Sequence, residues 1–127
     1  MSGIDSKYPF VLVVEDYDDT RELMRFALEA RGYRICEAQN GDEAILIACR
    51  ERPDVILMDI SMPVLNGLTA TARIREHHEL RKIPIVAVTA HQEMDLRASA
   101  RASGFTAYVT KPIDFDWLDD LIKSLLV

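Results

Sequence analysis

A chain of 127 residues, 49% hydrophobic and 28% charged, has the length of one domain with a full core and leaves no room for a second. Its 15 basic residues against 21 acids give a formal charge of −6, which argues against a nucleic-acid surface and fits a protein that gathers carboxylates around a cation. Nothing at the start resembles a signal peptide and no apolar run reaches the ~18 residues of a membrane span, so a cytoplasmic protein off the membrane is expected.

Residues 1–8 are polar, small and unpatterned and are expected to form a loose leader, with the domain occupying 9–127. Phe10 to Val14 is an apolar run of the length and branching of a buried parallel strand, and it ends in the acids Glu15, Asp16, Asp18 and Asp19. From Thr20 the period changes: Leu23, Met24, Ala27 and Leu28 mark one face of a helix ending at Gly32, with Asp18 or Asp19 capping its start. Tyr33 to Ala38 reads as a strand, Asn40-Gly41 as a turn, and Asp42 to Arg52 as a helix stopped by Pro53. Val55 to Met58 is the most apolar strand, and it stops at one carboxylate, Asp59, before a loop with Pro63 and Gly67. A helix over Leu68 to Leu80 follows, then a fourth strand from Ile83 to Val88 ending in Thr89, and a helix carrying Met94, Ala98 and Ala102 as far as Gly104. Phe105 to Val109 is the fifth strand, closed by Thr110-Lys111-Pro112, and Trp117, Leu118, Leu121, Ile122, Leu125 and Leu126 give an amphipathic last helix, mainly core. Cys36 and Cys49 form no C-x-x-C pair and are expected as buried free thiols.

Alternating strand and helix runs with short connections predict an α/β, (βα)5 doubly wound fold. Its five-stranded parallel sheet is expected in the flavodoxin-like order 2-1-3-4-5. That order makes the first and third strands neighbours and puts Glu15 and Asp16 beside Asp59.

Like charges gathered at one sheet edge repel unless a cation sits between them, and a short set of oxygen ligands suits Mg²⁺ better than Ca²⁺. Across the same edge the fourth strand delivers the hydroxyl of Thr89 and the fifth the ammonium of Lys111. Acids and a metal on one side with a hydroxyl and a cation on the other make a site for a phosphoryl group. Asp59, the single acid on the central strand, is then the candidate nucleophile that forms an aspartyl phosphate.

Val13-Val14-Glu15-Asp16, Leu57-Met58-Asp59-Ile60-Ser61-Met62-Pro63 with Gly67, Val88-Thr89-Ala90 and Tyr108-Val109-Thr110-Lys111-Pro112 follow in order, and together they resemble the receiver domains of two-component response regulators. The resemblance covers essentially the whole chain from Phe10. It implies a single-domain phosphoacceptor that is not an enzyme in its own right, with Asp59 loaded from the phosphohistidine of a sensor histidine kinase or histidine phosphotransfer protein. It implies Mg²⁺ surrounded by Glu15, Asp16, Asp59 and the backbone carbonyl of Ser61, a switch through Thr89 and Tyr108, and a Lys111-Pro112 bond that is cis. It further implies that Ser61 and His91 modulate the lifetime of the loaded state. The signal would leave for a downstream protein through the face of the fourth helix, fifth strand and fifth helix, Met94 to Lys123. Glu15 stands where many receivers have Asp.

Rival readings fare less well on the same residues. A haloacid-dehalogenase-type phosphatase needs a second Asp two residues after its nucleophile, where Ser61 stands. A flavin-phosphate module would be repelled by the acids from Glu15 to Asp19. A pseudo-receiver, a pure interaction module, is expected to lose Asp59, Lys111 or the acid pair, and the sequence keeps all of them.

Overall fold

The computed structural model describes residues 8–60, 66–90, 101 and 103–126. The apolar runs become strands β1 (Phe10–Val14), β2 (Arg34–Ala38), β3 (Val55–Asp59), β4 (Ile85–Thr89) and β5 (Ala107–Thr110), all parallel, in the order β2-β1-β3-β4-β5. Alternate side chains go to opposite faces of such a sheet. Leu12, Val14, Ile56, Met58, Ile85 and Ala87 meet helices α2 (Gly41–Glu51) and α3 (Gly67–Arg75) on one side. Val11, Val13, Val55, Leu57, Val86 and Val88 meet α1 (Asp18–Glu29) and α4 (Phe115–Leu125) on the other. Both faces of the central strands are therefore dry, which explains why these strands are continuous apolar runs rather than alternating ones.

The helices depart from the sequence expectation in ways that have local causes. Tyr17, not an aspartate, occupies the N-cap of α1 and offers no side-chain cap; Asp18 and Asp19 lie in the first turn, where their charge complements the helix dipole. The helix ends at Glu29, before Gly32, which has φ +92° in the turn that leads to β2. Asn40 caps α2 by accepting from the Glu43 N–H, and Asn66 caps α3 by accepting from Thr69. The core side of α2 is Ala44 and Ala48, small enough to let the helix lie close to the sheet, while Leu46 is 68% exposed and nothing in the structure explains its apolarity.

Where the pattern predicts one helix to Leu80, α3 stops at Arg75 and a single 3-10 turn over His78–Leu80 follows. Arg75 accounts for the turn: Nη1 donates to the carbonyls of Leu80 at 3.0 Å, Arg81 at 3.1 Å and Ile83 at 2.7 Å, and Nε to that of Gly104 at 3.0 Å. The buried side of α3 is Gly67, Ala70, Thr71 and Ile74 rather than two separate sides. Strand β4 begins at Ile85, two residues later than expected, since Pro84 has no N–H to give a ladder. Trp117 is not core. It stands 52% exposed one residue before Leu118, which with Ile122 forms the buried line of α4. Cys36 and Cys49 are free and half-buried. The fourth predicted helix falls largely outside the described residues, as does the leader over 1–7.

Candidate functional site

The β1–β3 register pairs Val14 with Met58, so the next residues, Glu15 and Asp59, emerge side by side at the carboxyl edge of the sheet. Edges of this kind, where strand order reverses, are where open α/β sheets bind ligands. Glu15 is 2% exposed and Asp59 4%, whereas Asp16 is open to solvent, and one carboxylate oxygen from each of the three lies within 4.8 Å of the others. Glu15 is held through both carboxylate oxygens: its Oε2 accepts from the Tyr17 N–H at 3.1 Å and its Oε1 from Lys111 Nζ at 3.1 Å.

Lys111 arrives from the end of β5, where its N–H continues the ladder by donating to the Thr89 carbonyl at 2.8 Å, and its peptide bond to Pro112 is cis. Its Nζ lies 3.5 Å from Asp59 Oδ2 as well as 3.1 Å from Glu15. Burial works against the charge on Lys111, but the carboxylates of Asp59 and Glu15 outweigh it and hold the ammonium above the usual lysine value, so it is a cation at neutral pH.

Among the described residues, three carboxylates facing one ammonium leave two negative charges in a site whose inner acids are buried. Oxygen donors only, and a surplus of two charges, fit a hard divalent ion such as Mg²⁺. Glu15, Asp16 and Asp59 are the residues that would hold it.

Thr89 ends β4 next to this group, buried, with its hydroxyl donating to the Ala90 carbonyl at 2.9 Å. Tyr108, on β5, is half-buried against the core on the α2–α3 side of the sheet. Ser61 and His91 lie outside the described residues.

Two contributors are not singled out as site residues by the sequence reading. Gly67, which reads there as a loop marker, is packed against the main chain of the candidate acceptor: a Cβ at this position would stand 2.3 Å from the Asp59 carbonyl oxygen. Arg21 donates to the Glu15 carbonyl at 2.9 Å, a contact between a side chain and a main chain that no residue-type pattern encodes.

Comparison with known proteins agrees with this geometry. Residues 11–123 match the family described as the response regulator receiver domain. The polar-differentiation response regulator DivK of Brucella anthropi is 40% identical over 116 residues, spanning 91% of this chain and 94% of its own. Among solved structures, the receiver domain of sensor histidine kinase PA1611 from Pseudomonas aeruginosa PAO1, with a magnesium ion coordinated in its active-site cleft, is 32% identical with a TM-score of 0.87 over 94% of this chain and 98% of that one. The chemotaxis protein CheY4 of Vibrio cholerae is 28% identical with a TM-score of 0.88, over 94% and 99% of the two chains. Kinship that runs from the first strand into the last helix, at this identity, leaves one conclusion: the chain belongs to the response regulator receiver domain family of two-component systems.

Proposed function

We propose that this receiver accepts a phosphoryl group on Asp59 from the phosphohistidine of a sensor histidine kinase or histidine phosphotransfer protein, in a Mg²⁺-dependent reaction. The observation that carries this reading is the placement of a buried aspartate at the carboxyl end of β3, beside two further acids and 3.5 Å from a lysine ammonium. An Asp59 carboxylate oxygen forms the new O–P bond as the P–N bond to the donor imidazole breaks, the bonding electron pair leaving with the ring nitrogen. Glu15, Asp16, Asp59 and the Ser61 carbonyl would hold a magnesium ion, which would supply positive charge to the phosphoryl group. Lys111 gives a second positive charge from its place beside Asp59. The Thr89 hydroxyl donates to a phosphoryl oxygen once it turns from the Ala90 carbonyl, and Tyr108 moves together with it. Ser61 and His91 tune how long the acyl phosphate lasts.

A few kcal/mol of differential interaction at the site is enough to shift such a domain between two surface states. The surface in question is the face of the helix predicted over Met94 to Ala102, β5 and α4. Part of it is a cavity of about 430 Å³ lined by Tyr108, Val109, Thr110, Pro112, Asp114 and Trp117, beside which a downstream protein would dock. A receiver of this kind is a signalling domain and not a classical enzyme. No helix among the described residues is long and apolar enough to cross a membrane.

The test is direct: incubate the chain with Mg²⁺ and acetyl phosphate and weigh it. One phosphoryl group per chain, lost in Asp59→Asn and in excess chelator, is the expected result. No gain in mass, or a gain that survives Asp59→Asn, refutes the phosphoacceptor role and leaves an unphosphorylated interaction module in its place.

A further inference from the structure

Arg21 lies in the second turn of α1, and its side chain folds back toward the start of the helix with only 17% of it exposed. Nη1 donates to the Glu15 carbonyl oxygen at 2.9 Å, Nη2 to Asp18 Oδ1 at 2.6 Å, and Nε lies 3.4 Å from Glu37 Oε1 on the neighbouring strand β2. One guanidinium thus joins the end of β1, the first turn of α1 and the sheet edge. The planar fork of arginine can serve three acceptors at once; a lysine ammonium on a flexible stem is a point charge.

The turn between β1 and α1 needs such a tie. Its helix has no side-chain cap, so the chain reversal that carries Glu15 and Asp16 is not fixed in the usual way. Its ties include the Glu15 N–H on the Ala38 carbonyl at 3.1 Å, the Tyr17 N–H on Glu15 Oε2 at 3.1 Å, the Arg21 N–H on the Tyr17 carbonyl at 2.9 Å, Lys111 Nζ on Glu15 Oε1 at 3.1 Å, and the Arg21 guanidinium on the Glu15 carbonyl. Against these stands the mutual repulsion of three carboxylates. Arg21 grips the main chain of Glu15 and leaves the carboxylate oxygens to the site.

We propose that Arg21 is a positioning residue for the acidic site: by clamping the Glu15 carbonyl to the first turn of α1 and to Glu37 of β2, it keeps the Glu15 and Asp16 carboxylates within reach of Asp59. The inference rests on the reading of that cluster as a Mg²⁺ site. Partners that orient metal ligands without touching the metal are worth on the order of ten-fold or more in affinity.

The experiment compares the full chain with Arg21→Met, Arg21→Lys and Arg75→Met, the last a stability control at the opposite edge of the sheet. Mg²⁺ binding is followed by titration calorimetry, and backbone amide shifts of the metal-free chains by NMR. Arg21→Met is expected to bind Mg²⁺ on the order of ten-fold more weakly, with Arg21→Lys nearly as weak and Arg75→Met unchanged. Amide shifts should move at Glu15, Asp16, Asp59 and Lys111. Wild-type affinity in Arg21→Lys, an equal loss in Arg75→Met, or shift changes confined to 18–29 would each overturn the positioning role. If the wild-type chain takes up no Mg²⁺, the functional reading of the site fails, and the amide shifts alone then decide for or against Arg21.

Discussion

Gly67→Ala should displace Asp59, the proposed acceptor, from behind. Gly67 opens α3, its N–H donates to the Ile60 carbonyl at 2.9 Å, and a Cβ there would lie 2.3 Å from the Asp59 carbonyl oxygen, 2.9 Å from Ile60 Cα and 3.0 Å from the Asp59 carbonyl carbon. Ordinary contacts begin at about 3.5 Å, so the methyl group demands a retreat of roughly 1 Å, and main-chain atoms cannot rotate out of its way. Overpacking of this kind costs about 1–3 kcal/mol, against which the better helix propensity of alanine returns at most about 1 kcal/mol. With a net cost of about 2 kcal/mol and a urea slope of about 2 kcal/mol/M, the unfolding midpoint should fall by about 1 M. The same movement alters the 3.5 Å separation between Asp59 and Lys111, and a misplacement of about 1 Å at a reacting centre costs on the order of a hundred-fold in rate. Urea titration and timed acetyl-phosphate loading read the two effects separately. A variant with the wild-type midpoint and loading rate would show that α3 is free to back away, and the steric reasoning would be wrong.

Arg75→Met removes a half-buried cation that serves four carbonyls, and it should lower stability by about 2 kcal/mol or more in urea titration while Mg²⁺ uptake stays as in the wild type; an unchanged midpoint would mean that water satisfies those carbonyls equally well. Tyr33, whose hydroxyl donates to Asp119, offers a pH test. Burial tends to raise the Asp119 pKa, but the hydrogen bonds from Tyr33 and Lys123 prevail and hold it below the usual carboxylate value. A depressed carboxylate stabilises the fold above its unfolded value of about 3.9 and ceases to as pH falls through the folded one, so Tyr33→Phe should cost about 1 kcal/mol at pH 7 and less at pH 3. Equal midpoint differences at the two pH values would refute the linkage. Burial, aided by the nearby charge of Glu51, pushes the Cys36 thiol up to about 11. Iodoacetamide at pH 8 should therefore label Cys36 roughly a hundred-fold more slowly in the folded chain than in urea, and equal rates in peptide mapping would contradict it.

The parallel strands and the gathering of their acids at one rim were legible in the residues, whereas the order 2-1-3-4-5 came from a choice between the two familiar doubly wound arrangements and not from the pattern itself. Strands dry on both faces read as unbroken apolar runs, and in a doubly wound sheet their carboxyl ends fall on one rim. Helix limits were less legible because they depend on who satisfies the terminal carbonyls and amides. The fold of 75–83 is decided by a guanidinium that reads in the sequence as one more surface charge, and the start of α1 by a tyrosine with no capping oxygen. Trp117 misled for a different reason: size and apolarity suggest core, but position relative to Leu118 and Ile122 determines which way the ring faces. Thr89 and Lys111 were placed at the right edge. The present bond of the Thr89 hydroxyl to Ala90 is a matter of rotamer that composition cannot encode.

The two rims of the sheet divide the work. At the amino rim Asp54 Oδ2 accepts from the Phe10 N–H at 2.8 Å while the Asp54 N–H donates to the Phe10 carbonyl at 2.7 Å, and Arg75 ties the approaches to β4 and β5. Those contacts close main-chain hydrogen bonds and leave no charge surplus among their partners. At the carboxyl rim the balance is reversed: among the described residues two buried carboxylates and an exposed one meet one ammonium, a cluster whose acids repel one another unless a cation joins them. Such a rim rests on the core beneath it, on the Lys111 contacts to Glu15 and Asp59, and on contacts to main chain, Arg21 on Glu15 and Gly67 against Asp59. Changes at the amino rim should therefore register in stability alone, whereas changes behind the carboxyl rim should register in the chemistry out of proportion to their cost in stability.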